Sequence, residues 1–376
     1  MFSNVEATRQ VITRRCLLAG SAAFILLGVT QLRAKTHTPL YASSRRDKDG
    51  QNFAVIFSPD KGDVVSVKLQ ERAHHISSHP LKTECVAVAR RPGRSSVVFG
   101  PDRKPHWFYT REDRHFQGHG VFSPDGRLFY TTENDYEDER GVIGVRDVES
   151  GFKQIGEFSS YGIGPHQLEM TDNGKTLIIA NGGILTHPDM GREKLNLHVM
   201  EPSLVYIDAK TGELLEKRIL SKSLHQVSIR HFAVSRDGSV AFGGQHNGSK
   251  TDHPPLMGFH RRGEKIEIVK APVGVQKAMR NYMGSVAING DGTVAAATCP
   301  RGNLVTFWNM KTCLYLSHVK LDDGCGVAPT GKGSSFILTS GRGKVGVFDV
   351  RGGGLELAAN ESLSGYQWDN HLSRLR

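Results

Sequence analysis

Apolar positions along this chain come in short bursts of four to six residues, broken by polar turns, and the bursts repeat. His119-Gly-Val-Phe-Ser-Pro-Asp125-Gly126 leads into Leu128–Thr132, His166-Gln-Leu-Glu-Met-Thr-Asp172-Asn-Gly174 into Thr176–Ala180, and His231-Phe-Ala-Val-Ser-Arg-Asp237-Gly238 into Val240–Gly243. Asp-Gly and Asn-Gly between apolar runs predict hairpins, because their turns need positive φ. Third strands such as Gly141–Asp147, Leu204–Asp208, Leu304–Trp308 and Val345–Asp349 follow, mostly ending in Asp before another turn. No long helical periodicity interrupts them, and 42 glycines suit a chain of many tight turns.

Units of this kind start at residues 75, 119, 166, 231, 285, 324 and 371, about 40 to 65 residues apart, the spacing of four-stranded propeller blades. The unit at Ser285 keeps the Asp291-Gly292 turn without a histidine, and the one at Gly324 keeps only the outline. The last start has too few residues after it to make a blade, whereas Phe53–Phe57 and Val64–Leu69 precede the first. The predicted fold is therefore all-β, a seven-bladed β-propeller of the WD40-like kind, whose last blade joins the C-terminal strand to N-terminal strands. Closing the ring in this way removes free sheet edges. The long interval from His166 to Ser285 predicts insertions at Thr186–Pro202 and Gln245–Met257.

Residues 1–34 read as a twin-arginine signal peptide. Thr13-Arg14-Arg15-Cys16-Leu17-Leu18 precedes an apolar run to Val29, with Ala34 as the cleavage residue. A run of about 13 residues is short of the roughly 20 needed to span a bilayer, so no stable transmembrane segment is expected after cleavage. The mature chain, 35–376, is then one periplasmic propeller domain. Losing four Arg and one Glu with the leader lowers the net charge from +10 to +7. The basic residues are scattered, without aromatic interleaving, and nucleic-acid binding is not expected. Cys85, Cys299, Cys313 and Cys325 remain, free to be buried thiols or disulfides in any of three pairings. The lack of a Cys-x-x-Cys-His excludes covalent haem.

The candidate chemistry lies in histidines. Inner strands of a propeller line its channel, so His75, His119, His166, His231 and His371, each near the start of a repeat unit, should gather at one mouth in an arc open toward blades five and six. Neutral imidazole is a common ligand for Zn, Cu, Fe and Ni. Three or four of the five should reach one ion, unless each His merely bonds a nearby carbonyl or turn Asp. Glu133, Asn181, His187, Arg230 and Arg301 are candidate outer partners or substrate contacts. Arg90-Arg91-Pro92-Gly93-Arg94 reads as an anion site or a solvated basic turn.

Ala89-Arg-Arg-Pro-Gly93, Gly118-His-Gly-Val-Phe-Ser123, Thr132-Glu-Asn-Asp135, Gly162-Ile-Gly-Pro-His166, Ala180-Asn-Gly-Gly-Ile184, Thr186-His-Pro-Asp189, Ser228-Ile-Arg-His231 and Trp368-Asp-Asn-His-Leu372 span nearly the whole mature chain. With these motifs the chain resembles a DUF1513-like family of twin-arginine-exported bacterial β-propellers of unassigned function. Such proteins are usually encoded beside imelysin-type periplasmic iron-uptake proteins and a di-haem peroxidase-like protein. The resemblance implies location and those partners, not chemistry. Gln167 stands where a glutamate is usual in the family, and Cys299 where a serine is usual.

Three readings follow. The first is a periplasmic protein that binds or handles a transition metal, iron first and copper next, in iron uptake. The second is a metal-dependent oxidoreductase or lyase acting on a small molecule or metal chelate. The third is a protein-interaction scaffold.

Overall fold

Middle strands such as Cys85–Ala89, Thr176–Asn181 and Val294–Cys299 are buried at every position, while outer strands such as Tyr315–Lys320 alternate between exposed and half-buried. That is the pattern of sheets covered on both faces by their neighbours and wetted only at the rim. The computed structural model describes residues 39–375 apart from 172, 173, 192, 332 and 359. The leader, Asp172 and Arg192 lie outside the described residues.

The described residues form seven four-stranded antiparallel sheets, the blades of a propeller. From the channel outward, blade one runs Ala73–Ser78 to Arg103–Tyr109, blade two Arg114–Phe122 to Lys153–Ser159, and blade three Pro165–Thr171 to Leu214–Ile219. Blade four runs Val227–Val234 to Glu267–Val269, blade five Ser285–Ile288 to Tyr315–Lys320, and blade six Gly324–Pro329 to Gly354–Leu357. Aromatic packing joins neighbouring blades: Phe108 stacks on Phe152 with centroids 4.8 Å apart, and Phe307 on Phe348 at 4.6 Å.

The seventh blade is shared between the chain ends. Its inner strand is Gln367–Arg374, followed outward by Tyr41–Arg46, Asn52–Ser58 and Gly62–Lys68. Phe53–Phe57 thus lies in the same sheet as His371, as expected, with one strand between them. The strand between them, Tyr41–Arg46, is mostly polar. It is buried because Ser43 Oγ donates to the His371 carbonyl at 2.6 Å and Arg45 pairs with Asp63 while its guanidinium covers Tyr366 at 3.5 Å.

Strand direction sorts the loops onto two faces. Inner strands start, and second strands end, at the same mouth, as the Arg90 N–H bond to the Arg72 carbonyl (2.8 Å) shows for blade one. This mouth therefore collects residues 90–94, the loops that begin at residues 182 and 247 and hold most of the predicted insertions Thr186–Pro202 and Gln245–Met257, and Pro300–Gly302. The positive-φ turns at Gly126, Gly238 and Gly292 lie at the other mouth. A six-residue helix, Val273–Ala278, links blades four and five, and among the described residues no helix is long and apolar enough to cross a membrane.

Candidate metal centre

Where the inner strands carry their histidines, they bulge. Pairing with the neighbouring strand slips between Ala73 and His75, Phe116 and Gly120, Pro165 and Gln167, and Ile229 and His231. In blade seven it slips opposite Ser43 to Arg45, where Trp368 and Leu372 are the paired residues. Blade six also slips, at Cys325-Gly326, whereas Ser285 in blade five pairs regularly with Thr298. A bulge re-aims side chains that strict alternation would send to opposite faces. Here the extra residues include His74, His119, His166 and His371, and His231 follows its bulge.

One ring nitrogen from each of His74, His119, His166 and His231 lies within 4.8 Å of the others. His74 Nε2 stands 3.3 Å from His166 Nε2 and 3.3 Å from His371 Nε2. The predicted one-sided arc is closed, since the rings of His231 and His371 meet across the channel at 4.6 Å. His74, which the repeat pattern passed over, holds the place expected for His75. The His75 ring is instead stacked on His119 at 4.8 Å, its Nε2 3.3 Å from Ser373 Oγ, and it lines the channel toward the far mouth beside Glu169.

The cluster is uncharged at neutral pH. Burial pushes His74 down to about 4 and His75 to about 3. Burial, reinforced by neighbouring histidines and in part by Arg230, holds His119, His166, His231 and His371 well below the usual imidazole value. Behind the ring, His74 Nδ1 is 3.8 Å from Asp369 Oδ1, and Arg72 Nε donates to Asp369 Oδ2 at 2.7 Å. Burial alone would raise Asp369, but the nearby His74 ring and the bonded Arg72 charge outweigh it and keep the carboxylate ionised. A carboxylate that accepts the outer N–H of an imidazole fixes ring orientation and raises its basicity as a ligand, and Asp369 stands just beyond that distance from His74 Nδ1.

These residues fit a metal ion on two counts. Both nitrogens of His119 and Nδ1 of His231 are buried without a hydrogen-bond partner, so the donors converge with their bonding capacity unspent. A tetrahedral ion with bonds of about 2.0–2.1 Å to nitrogen separates its ligands by roughly 3.3 Å, which is the His74–His166 separation. The group, His74, His119, His166 and His231, can hold a metal; its chemistry does not fix which.

The other predicted site residues divide. Arg230 belongs here, its Nη1 3.3 Å from His166 Nδ1. Arg301 lies over the Tyr282 ring at 4.3 Å, at the mouth. His187 caps the short Pro188–Met190 turn and borders a cleft with Arg90, Arg91 and His115. Glu133 is not an outer partner of the ring: it is buried within blade two, accepting from Arg146 Nη2 at 2.8 Å, Thr110 Oγ1 at 2.5 Å and Thr131 Oγ1 at 2.6 Å. Asn181 likewise ties strands together, donating to the Ser160 carbonyl at 2.8 Å. Gln167 stitches blade three to blade four, its Nε2 donating to the Phe232 carbonyl at 2.7 Å and its Oε1 accepting from Phe232 N at 3.2 Å. An ionised glutamate could make only the second bond. Among the described residues the four cysteines, Cys85, Cys299, Cys313 and Cys325, are free thiols, and none joins the histidine group.

A propeller whose channel is filled by buried imidazoles is thus the class of protein in hand. The chain belongs to a family described as protein of unknown function (DUF1513), whose model matches residues 67–375. No curated protein sequence matches it. Among solved structures it is similar to hydrazine synthase of Kuenenia stuttgartiensis, with a TM-score of 0.59 and 15% identity over 86% of this chain and 99% of that one. It is also similar to a chain of the mitotic checkpoint complex, with a TM-score of 0.56 and 13% identity over 76% of this chain and 78% of that one. At such identities the likeness is one of fold.

Proposed function

We propose that this protein is a periplasmic metal-binding propeller that takes up a transition metal, ferrous iron first and copper next, on His74, His119, His166 and His231, with His371 beside them. The observation that carries the reading is the convergence of neutral, buried and partly unpartnered imidazole nitrogens within 4.8 Å of one another, with His74 and His166 at the separation a tetrahedral ion would set. A neutral all-nitrogen set suits Fe(II) and copper better than Fe(III), which prefers anionic oxygen. Iron is placed ahead of copper by the resemblance to propellers encoded beside imelysin-like and di-haem peroxidase-like proteins, and these are the partners proposed here. The periplasm follows from the twin-arginine leader.

Elemental analysis of the protein purified from the periplasm, followed by titration of the stripped protein with Fe(II), Cu(II) and Zn(II), tests the reading. One metal per chain is expected, lost in a His119→Ala/His166→Ala pair. No stoichiometric metal under any of these conditions, or binding that survives the double substitution, overturns it.

A further inference from the structure

The mouth above the histidines gathers positive charge around Arg230. Arg230 is the extra residue of the blade-four bulge and leans on His166 through Nη1 at 3.3 Å, while its Nε is buried without a partner. Two residues earlier, Ser228 Oγ is also buried and unpartnered. Gly182 permits this crowding, because a Cβ there would lie 2.7 Å from Ser228 Oγ and 3.3 Å from Arg230 Nη1. Around Arg230 stand Arg90 and Arg91, and Lys194 feels Arg230, Arg91 and Arg301 together. Lys194 Nζ donates to Asn247 Oδ1 at 2.7 Å, a neutral acceptor. Among the described residues no ion pair joins Arg90, Arg230, Arg301 or Lys194 to a carboxylate, and Asp369 is already engaged by Arg72.

Converging cations that repel one another, with buried N–H and O–H donors left over, are what a bound anion stabilises. We propose that this mouth holds a small-anion site centred on Arg230, for an inorganic oxyanion or a carboxylate, and that its occupancy favours metal binding at the histidines. The second half rests on the metal reading; the first does not.

The link is His166. A guanidinium can only donate, so the Arg230 contact assigns the lone pair of neutral His166 to Nδ1 and its proton to Nε2, the atom that faces His74 Nε2. A protonated Nε2 cannot ligate. An anion that draws Arg230 toward the mouth lets the proton move to Nδ1 and turns the Nε2 lone pair inward. Anion and metal then raise each other's affinity by the same factor.

Calorimetric titration of metal-free protein with sodium sulfate and with sodium malonate tests the site, and the tighter of the two tells oxyanion from carboxylate. One anion per chain is expected, weakened at least tenfold by Arg230→Gln and more mildly by Lys194→Gln, a surface substitution that guards against misfolding of the first. Co(II) affinity, read from its visible absorption, should rise severalfold with saturating anion in the natural protein and stay unchanged in Arg230→Gln. No anion binding, or equal binding in both variants, overturns the site. An unchanged Co(II) affinity overturns the linkage. Failure of Co(II) to bind overturns the linkage and the metal reading, while the metal-free titration still decides the anion site.

Discussion

His371 and His74 bring their Nε2 atoms to 3.3 Å although 297 residues separate them. One sits on the strand that closes the ring and the other on the inner strand of blade one, so closure of the fold and assembly of the centre are one event. The closing strand also buries Trp368 and Leu372 against Phe57 and Tyr41.

Removing residues 366–376 should therefore destabilise the whole domain. Full burial of Trp368 and Leu372 alone is worth about 1.5–3 kcal/mol each, and the polar Tyr41–Arg46 strand loses its partner along one entire edge. A single cooperative thermal transition at a clearly lower midpoint, together with loss of metal binding, is expected. A truncated protein with unchanged unfolding would contradict the closure argument.

The structure separates two adjacent histidines. His74→Ala should weaken metal binding by roughly 100-fold or more, above the loss typical of an outer-shell partner. His75→Ala should cost less than tenfold, since the His75 ring meets the centre only through ring contacts with His119 and His371 and is not one of the four converging ligands. Competition against a chromophoric chelator measures both, and equal losses would place the centre elsewhere.

This pair also shows what the sequence carried and what it hid. The repeat made the blade count, the shared last blade and four of the five clustered histidines legible, because turn chemistry and strand spacing are local. A bulge is not local: it depends on how two strands register, and it moved the ring position from His75 to His74. Tyr41–Arg46 was missed as a strand for a related reason, its polar residues being buried only by partners distant in sequence. Glu133 looked like a site residue because Thr132-Glu-Asn-Asp135 is polar, yet its partner Arg146 lies in the adjoining strand of the same blade.

Glu133→Ala should accordingly affect stability, not binding. Removing one member of a buried ion pair leaves the other charge uncompensated, at a cost of about 3–5 kcal/mol. Chemical denaturation should show a fall of that order, while the metal stoichiometry of the folded protein stays the same. Loss of metal in a protein that remains folded would return Glu133 to the centre.

Acid should weaken the metal-free protein well before it strips the metal. Histidines buried as neutral groups bind protons less readily in the folded chain than in the unfolded one, so their contribution is complete above the unfolded value of about 6.5 and is lost as pH falls toward the folded value. For His74, lowered to about 4, that window runs from about 6.5 to about 4, and at 1.36 kcal/mol per unit the loss is on the order of 3 kcal/mol. The other ring histidines shift the same way and steepen the fall. Melting temperatures of the metal-free protein should therefore drop between pH 7 and pH 4.5, and His74→Leu, which cannot titrate, should flatten the curve. Metal affinity follows the folded values instead: protons compete for His74 only near pH 4 and for the other ligands well below the usual imidazole range, so binding should change little from pH 7 to about pH 5, where a site of ordinary imidazoles would already be losing its metal. A tenfold fall in affinity between pH 7 and pH 6 would show that the ligands are exposed, unshifted histidines and not this buried ring.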